Sequence, residues 1–244
     1  GHLMEQWLTQ VAPFLSDNLI FTPNTLAQYW DGLVNTVQLV FISLVVGLFL
    51  AVPLAVGRAS RRVWLNVPIW LFTYVFRGTP LLIQLYIAYY GFAFIDGVQD
   101  SAFAFFINDP VYPALLAFTL NTAAYTTEIF VGAIRATPQG ELEAARAYGM
   151  SAATAYRRVV LPSAFRRALP AYGNEVIFML HASAIASAVT ITDLTGAAYY
   201  VYARFYSPFP AFIFVALVYM LLSFVLQGGF KMLETRMLRH LKPA

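Results

Sequence analysis

The sequence predicts an all-α integral membrane protein with five transmembrane helices, on three observations. Of the 244 residues, 60% are hydrophobic and only 11% are Asp, Glu, Lys or Arg, against about 25% charged residues in a soluble domain. Long apolar runs of membrane-spanning length recur along the chain. Lys and Arg crowd one alternate set of connections and avoid the other. Mean hydropathy of +0.66 agrees, and the wealth of aromatics with so little charge excludes disorder. The 21 Phe, 15 Tyr and 4 Trp suit a chain that meets both lipid tails and headgroups. Having no Cys excludes disulfides, thiolate metal sites and thiol nucleophiles. The net charge of +3 reads as basic loops beside a membrane, not as a nucleic-acid surface.

A helix needs about 20 apolar residues to cross the hydrocarbon core. The first span is Leu33 to Val56, with no charged residue, preceded by Tyr29 and Trp30 as interfacial anchors. The second stretch runs from Val63 to about Ile95. At about 1.5 Å per residue it is roughly 48 Å long, too long for one upright helix, so it tilts, bends or starts in the interface. Ala114 to Ile134 is the third span, Ala171 to about Thr192 the fourth and Pro210 to Phe230 the fifth. Before Leu33 the chain runs through an outer, interfacial segment, residues 1–32. Its first residues, Gly1-His2-Leu3, read as an expression scar before Met4, with no cleavable signal peptide. Apolar residues from Trp7 to Leu19 at helical spacing predict a helix lying on the outer surface. The apolar, membrane-spanning body covers 33–230, and 231–244 is a tail.

Orientation follows from Lys and Arg. Residues before Leu33 and the loop from Asp96 to Tyr112 have none. Arg135, Arg146, Arg157, Arg158, Arg166 and Arg167 lie between spans three and four, and Lys231, Arg236, Arg239 and Lys242 follow span five. Only Arg204 is on the other side. The N-terminus is therefore expected outside and the C-terminus in the cytoplasm.

Arg77-Gly78-Thr79-Pro80 reads as a helix end followed by a helix start. Gly78 suits a left-handed C′ position, Thr79 an N-cap and Pro80 the first helical position. The residues either shape a kink, with Arg77 snorkelling to the interface, or form a broken helix lining a path. The polar stretch 136–170 predicts two short helices under the membrane. Thr137-Pro138 opens the first, Gly149 ends it, Ser151 caps the second and Pro162 stops it. Such a knob serves for docking another protein, or is a loop lying on the membrane surface.

Glu143-Ala144-Ala145, then Gly149, then Val159, Leu161 and Pro162, closely resembles the EAA motif of ABC-importer permeases. Phe76-Arg77-Gly78-Thr79-Pro80-Leu81, Asn121-Thr122-Ala123-Ala124-Tyr125 with Glu128, and Asn174-Glu175 resemble the polar amino-acid uptake subfamily, nearest to the M-type permeases of histidine/lysine/arginine/ornithine transporters. The resemblance covers about residues 33–230. It implies a type I importer permease fold in a bacterial inner membrane, working by alternating access. It also implies a second permease subunit, a paralogue, two cytoplasmic ATPases that hold ATP and Mg, and a periplasmic binding protein. The EAA loop is then the element that enters the ATPase. Many relatives carry Lys-Asp in the fourth span where this chain has His181-Ala182; loss of that lysine suits a cationic cargo.

Ionisable groups inside spans are functional candidates by default. Glu128 and Glu175 are each able to accept a guanidinium or ammonium group. Glu128 alternatively bonds to a neighbouring helix, and Glu175 alternatively stands at a favourable helix N-terminus. His181, Ser183, Ser187 and Thr190 could line the same path, or simply pack. Asp193-Leu194 is a candidate gate at the outer end of span four. No catalytic set, metal-ligand spacing or phosphate-binding loop is present, so no cofactor is expected in this chain. The rival reading is an ion-coupled carrier or channel that works without an ATPase.

The absence of native cysteine makes the orientation directly measurable. Asn108→Cys should react with an impermeant maleimide in intact cells, and Thr154→Cys only after permeabilisation. The opposite pattern would overturn the N-outside arrangement.

Overall fold

The computed structural model describes residues 20–239, all helix and connection with no strand among them. The interfacial helix expected over Trp7–Leu19 lies outside the described residues. The elements are α1 (Pro23–Ala59), α2 (Val63–Gly78), α3 (Leu81–Gly91), α4 (Phe105–Asn108), α5 (Val111–Arg135), α6 (Gln139–Ala147), α7 (Ala152–Ala155), α8 (Leu161–Ala182), α9 (Leu194–Phe205) and α10 (Pro208–Met237). Three of them, α1, α5 and α10, are long and apolar enough to cross a membrane alone. Two bent pairs raise the number to as many as five. Residues 63–94 turn by 103° between α2 and α3, and residues 152–205 by 47° before α9.

Helix α1 starts at Pro23 rather than Leu33. Thr22 and Thr25 form a reciprocal capping box, with Thr25 N donating to Thr22 Oγ1 at 3.2 Å and Thr22 N to Thr25 Oγ1 at 2.7 Å. Pro23 follows at the first position, where its missing N–H costs nothing. At 37 residues the helix is about 55 Å long. Its buried stripe is Gly32, Thr36, Leu39, Ser43, Gly47, Ala51 and Ala55, a 3.6-residue period of mostly small side chains. Small residues let backbones approach where no hydrophobic effect pulls helices together in lipid. A Cβ on Gly47 would stand 2.5 Å from Thr122 Cγ2 of α5, and one on Gly32 would stand 2.7 Å from Asp193 O.

Helix α5 is the centre of the bundle and packs against α1, α2, α3 and α8. Phe118, Ala123, Ala124 and Thr127 are fully buried in it. One core, around Leu39, Leu85, Phe118 and Met179, fills the middle of the molecule. A second, around Tyr29, Leu194, Val201 and Val215, closes one end, and Ala55, Phe130, Val160 and Ala164 close the other. By contrast α10 exposes Phe209, Ile213, Leu217, Leu221 and Phe224, as an outer helix does in lipid.

The 79–80 break differs in detail from the sequence expectation. Gly78 is the last residue of α2 with ordinary φ, Thr79 is extended, and Pro80 rather than Thr79 precedes the first turn of α3. The Thr79 hydroxyl instead donates to Val75 O at 2.9 Å. Pro80 fixes its predecessor in an extended conformation, which alone ends α2. Pro162 is the second correction, since it does not stop the helix after Ser151. A π-turn at Tyr156–Val160 runs straight into α8, with Pro162 in its first turn. That position tolerates a residue without an N–H, and the wider π-turn ahead of it accommodates the ring.

Gly47→Val should lower stability by about 1–3 kcal/mol, because the added carbons meet Thr122 in a packed interface. Gly228→Ala, where a Cβ meets open space, should change it by about 0.5 kcal/mol or less. Thermal unfolding of the purified variants in one detergent measures both, and equal melting temperatures would remove the close-packing account.

Candidate functional site

Thr122 stands where three helices meet. Its methyl group fills the gap beside Gly47, and its hydroxyl donates to Glu175 Oε1 at 3.1 Å. Glu175 lies on α8 and is 6% exposed. Among the described residues no Lys, Arg or His lies within ion-pair distance of it, the one salt bridge being elsewhere. A buried carboxylate with one neutral donor and no cation is an expensive arrangement. Tyr172, one turn earlier, is partly buried between two of the cores.

Glu128 is placed differently. Its Oε1 lies 3.3 Å from Arg58 Nε and accepts the Thr73 hydroxyl at 2.7 Å. Arg58 Nη1 also donates to Asn66 Oδ1 at 2.5 Å. The group ties α1, α2 and α5 together with side chains only 15% and 20% exposed at the ion pair. Glu128 thus makes the neighbouring-helix contact that the sequence left open for it, and its charge is already neutralised within the chain.

His181 faces away from Glu175. Its Nε2 lies 2.7 Å from Ser223 Oγ on α10, where an open cleft of about 550 Å³ is lined by His181, Tyr219, Ser223 and Gln227 among apolar residues. Ser183 is fully buried and donates to Leu180 O at 2.6 Å, and Ser187 donates to Ala184 O at 3.0 Å. Neither hydroxyl joins Glu175. Six residues separate Glu175 from His181, which on a helix is most of a half-turn away from the same face.

Both breaks are tied off by side chains, some from the broken segments themselves and some from the continuous helices α1 and α5. At the 79–80 break the Gln84 amide donates to Phe76 O at 2.8 Å and Thr79 Oγ1 at 2.7 Å. Its oxygen accepts from Asn121 at 3.2 Å. Tyr125 donates to Arg77 O at 3.3 Å and lies under the Arg77 guanidinium. At the other break Thr190 takes a left-handed φ of 67°, a conformation costing about 1–3 kcal/mol at a β-branched residue. Asn35 donates to Thr192 O at 2.8 Å, and Leu194 N to Thr36 Oγ1 at 3.0 Å. Asp193 is fully buried and caps α9 through Gly196 N at 2.8 Å, with Tyr219 Oη 3.4 Å from its other oxygen. Gln84, Thr73, Asn35 and Thr36 were not singled out in the sequence. A lone polar residue in an apolar helix was the available signal for Gln84, and the polar group Asn35, Thr36 and Gln38 inside the first apolar run was the one for α1.

The loop after α5 has the form that the sequence implied at Gly149. Gly149 has φ +71°, and Met150 N bonds to Ala145 O at 3.1 Å while Gly149 N bonds to Arg146 O at 2.9 Å. This is the Schellman pattern. Ser151 then caps α7 through Thr154 N at 3.3 Å. Glu143, Ala144 and Gly149 are exposed, Ala145 is buried, and Leu161 and Pro162 are half-buried.

A continuous helical scaffold, two broken segments and an exposed knob define a transport permease, and the comparisons agree. The family model described as "binding-protein-dependent transport system inner membrane component" matches residues 43–239. The chain belongs to that family. It is 49% identical over 217 residues to the histidine/lysine/arginine/ornithine transport system permease protein HisM of Escherichia coli K12, covering 88% of this chain and 91% of that one. It is 37% identical over 215 residues to the octopine transport system permease protein OccM of Rhizobium meliloti, covering 88% of each. Among solved structures, an amino acid ABC transporter crystallised with histidines superposes with a TM-score of 0.75 at 32% identity, over 86% of this chain and 94% of that one. An inward-facing methionine ABC transporter shares the fold, with a TM-score of 0.74 at 19% identity over 89% and 99%.

The Arg58–Glu128 pair is testable as a brace. In a double-mutant cycle of Arg58→Gln and Glu128→Gln, the coupling should be about 0.5–3 kcal/mol, read as thermal stability. Strict additivity would mean that the two side chains do not hold the helices together.

Proposed function

We propose that this chain is the membrane-spanning permease subunit of an ATP-driven importer of basic amino acids, and that Glu175 receives the positively charged end of the cargo. The observation that carries the reading is the buried Glu175 carboxylate, which among the described residues accepts a hydrogen bond from Thr122 and has no cation beside it. A guanidinium, ammonium or imidazolium group offsets the cost of that isolated charge. The relatives support the chemistry, since HisM is named for histidine, lysine, arginine and ornithine. Glu128, with Arg58 as its partner, is assigned to bracing and not to cargo. His181, which faces away from Glu175 toward Ser223 of α10, is assigned to packing between those helices, and Ser183 is left out because its hydroxyl is already donated to Leu180.

The loop from 136 to 170 docks a cytoplasmic ATPase. Glu143, Ala144, Ala145 and Gly149 form the docking knob, and Leu161 and Pro162 begin the helix that carries Glu175. Two such ATPases hold ATP and Mg; a second permease, a paralogue, completes the path, and a periplasmic binding protein delivers the cargo. In this reading the chain crosses a bacterial inner membrane five times, with residues 1–32 on the periplasmic side and 231–244 in the cytoplasm. The break at Arg77-Gly78-Thr79-Pro80 lets α2 and α3 move separately during alternating access.

Glu175→Gln keeps shape and removes charge. A charge-assisted hydrogen bond is worth about 1.5–3 kcal/mol, so affinity for arginine or lysine should fall roughly 10- to 150-fold. Binding and uptake in proteoliposomes containing the whole importer measure this, with a neutral amino acid as the comparison. Unchanged arginine uptake would make Glu175 structural. Uptake by the wild-type chain without any ATPase would replace the importer with an ion-coupled carrier.

A further inference from the structure

The peptide between α5 and α6 is not helical. Ala136 has φ −86° and ψ 8°, and Pro138 has ψ 137°. Unsupported, this joint is a hinge, and a push on α6 would bend it before reaching the spans. Arg167 of α8 bridges it. Its Nε and Nη2 donate to Ala133 O in the last turn of α5, at 3.1 Å and 2.7 Å. The same Nη2 donates to Thr137 Oγ1 at 2.9 Å, immediately before α6. Nη1 is held by Ser163 Oγ on its own helix. Thr137 is fixed in turn by donating to Ile134 O at 2.6 Å.

The geometry points to Arg167 as the positioning residue that transmits movement of α6 to the membrane spans. One guanidinium grips both sides of the hinge and belongs to a third element. A cation at the carbonyl end of α5 is favoured by the helix dipole, and only a planar fork reaches two acceptors and its own anchor together. Arg167 lies two turns before Glu175 on α8, and Ala133 lies three turns beyond Thr122 on α5. Helices α5 and α8 are therefore pinned at two levels, the Arg167 fork and the Thr122–Glu175 contact. Displacement of α6 moves them as one body and reaches the carboxylate. Arg166, the adjacent residue, is exposed and makes no comparable grip.

This inference rests on the importer reading. The test uses the complete importer in proteoliposomes and reads both ATP hydrolysed and arginine taken up. Arg167→Gln should leave ATPase binding and hydrolysis in place, while arginine carried per ATP falls by about 5- to 150-fold. Arg167→Lys, which retains one charged donor group, should recover part of that ratio, and Arg166→Gln should match the wild type. A spin label at Gln139→Cys, exposed at the start of α6 just beyond the joint, should gain mobility in the Arg167→Gln background. An unchanged ratio and unchanged label mobility would overturn the assignment, as would parallel loss of hydrolysis and uptake. If the Gln variant is not recovered from membranes, the Lys variant carries the test, and a wild-type ratio with wild-type label mobility in it overturns the assignment. A wild-type complex without ATP-dependent uptake removes the importer reading itself, and this inference with it.

Discussion

The contact of Thr122 with Gly47 on one side and Glu175 on the other is the constraint on which the bundle depends. In lipid, helices associate through close packing and interhelical hydrogen bonds, because apolar side chains gain little by leaving lipid for one another. A glycine opposite a threonine provides both in one place: the backbones approach, and the hydroxyl is left free to donate to a third helix. Because α5 also touches α2 and α3, a displacement at Thr122 is felt by nearly every element around it. The same contact holds the buried carboxylate, so the packing centre and the candidate cargo site coincide.

The two breaks follow a common logic. Irregular backbone at membrane depth must have its polar groups satisfied by protein. Gln84 and Tyr125 serve the 79–80 break, and Asn35 and Thr36 serve the break near Thr190. Asn35 and Thr36 lie on α1 and Tyr125 lies on α5, both continuous helices, so rigid scaffold and broken segments are joined by individual hydrogen bonds. Each is worth only about 1 kcal/mol, weak enough to exchange during a transport cycle. Glu128 and Glu175 differ in the same spirit: Arg58 pairs with Glu128 across the helices, whereas among the described residues no cation pairs with Glu175, which is what the proposed cargo role rests on.

Much of this was legible in the chain. The apolar runs, the break beside Pro80 and the Gly149 turn follow from local chemistry, and local chemistry decided them. The N-terminal extension of α1 escaped because an apolar run marks the lipid-crossing part of a helix, whereas the Thr22–Thr25 box marks its start. Pro162 was misread because a π-turn absorbs what an α-helix would reject. Arg166 and Arg167 are indistinguishable by type and spacing, yet only Arg167 finds Ala133 and Thr137, since that depends on where α5 ends in space. Glu128 and Glu175 looked alike for the same reason: the deciding partners, Arg58 and Thr122, come from other helices.

The central claim, that the Thr122–Glu175 contact is where the cargo's charge is read, is tested most directly by the structure of the assembled importer loaded with arginine. The account predicts the guanidinium within about 3 Å of the Glu175 carboxylate, as a charge-assisted hydrogen bond requires. Arginine bound elsewhere, with Glu175 still accepting only from Thr122, would contradict it.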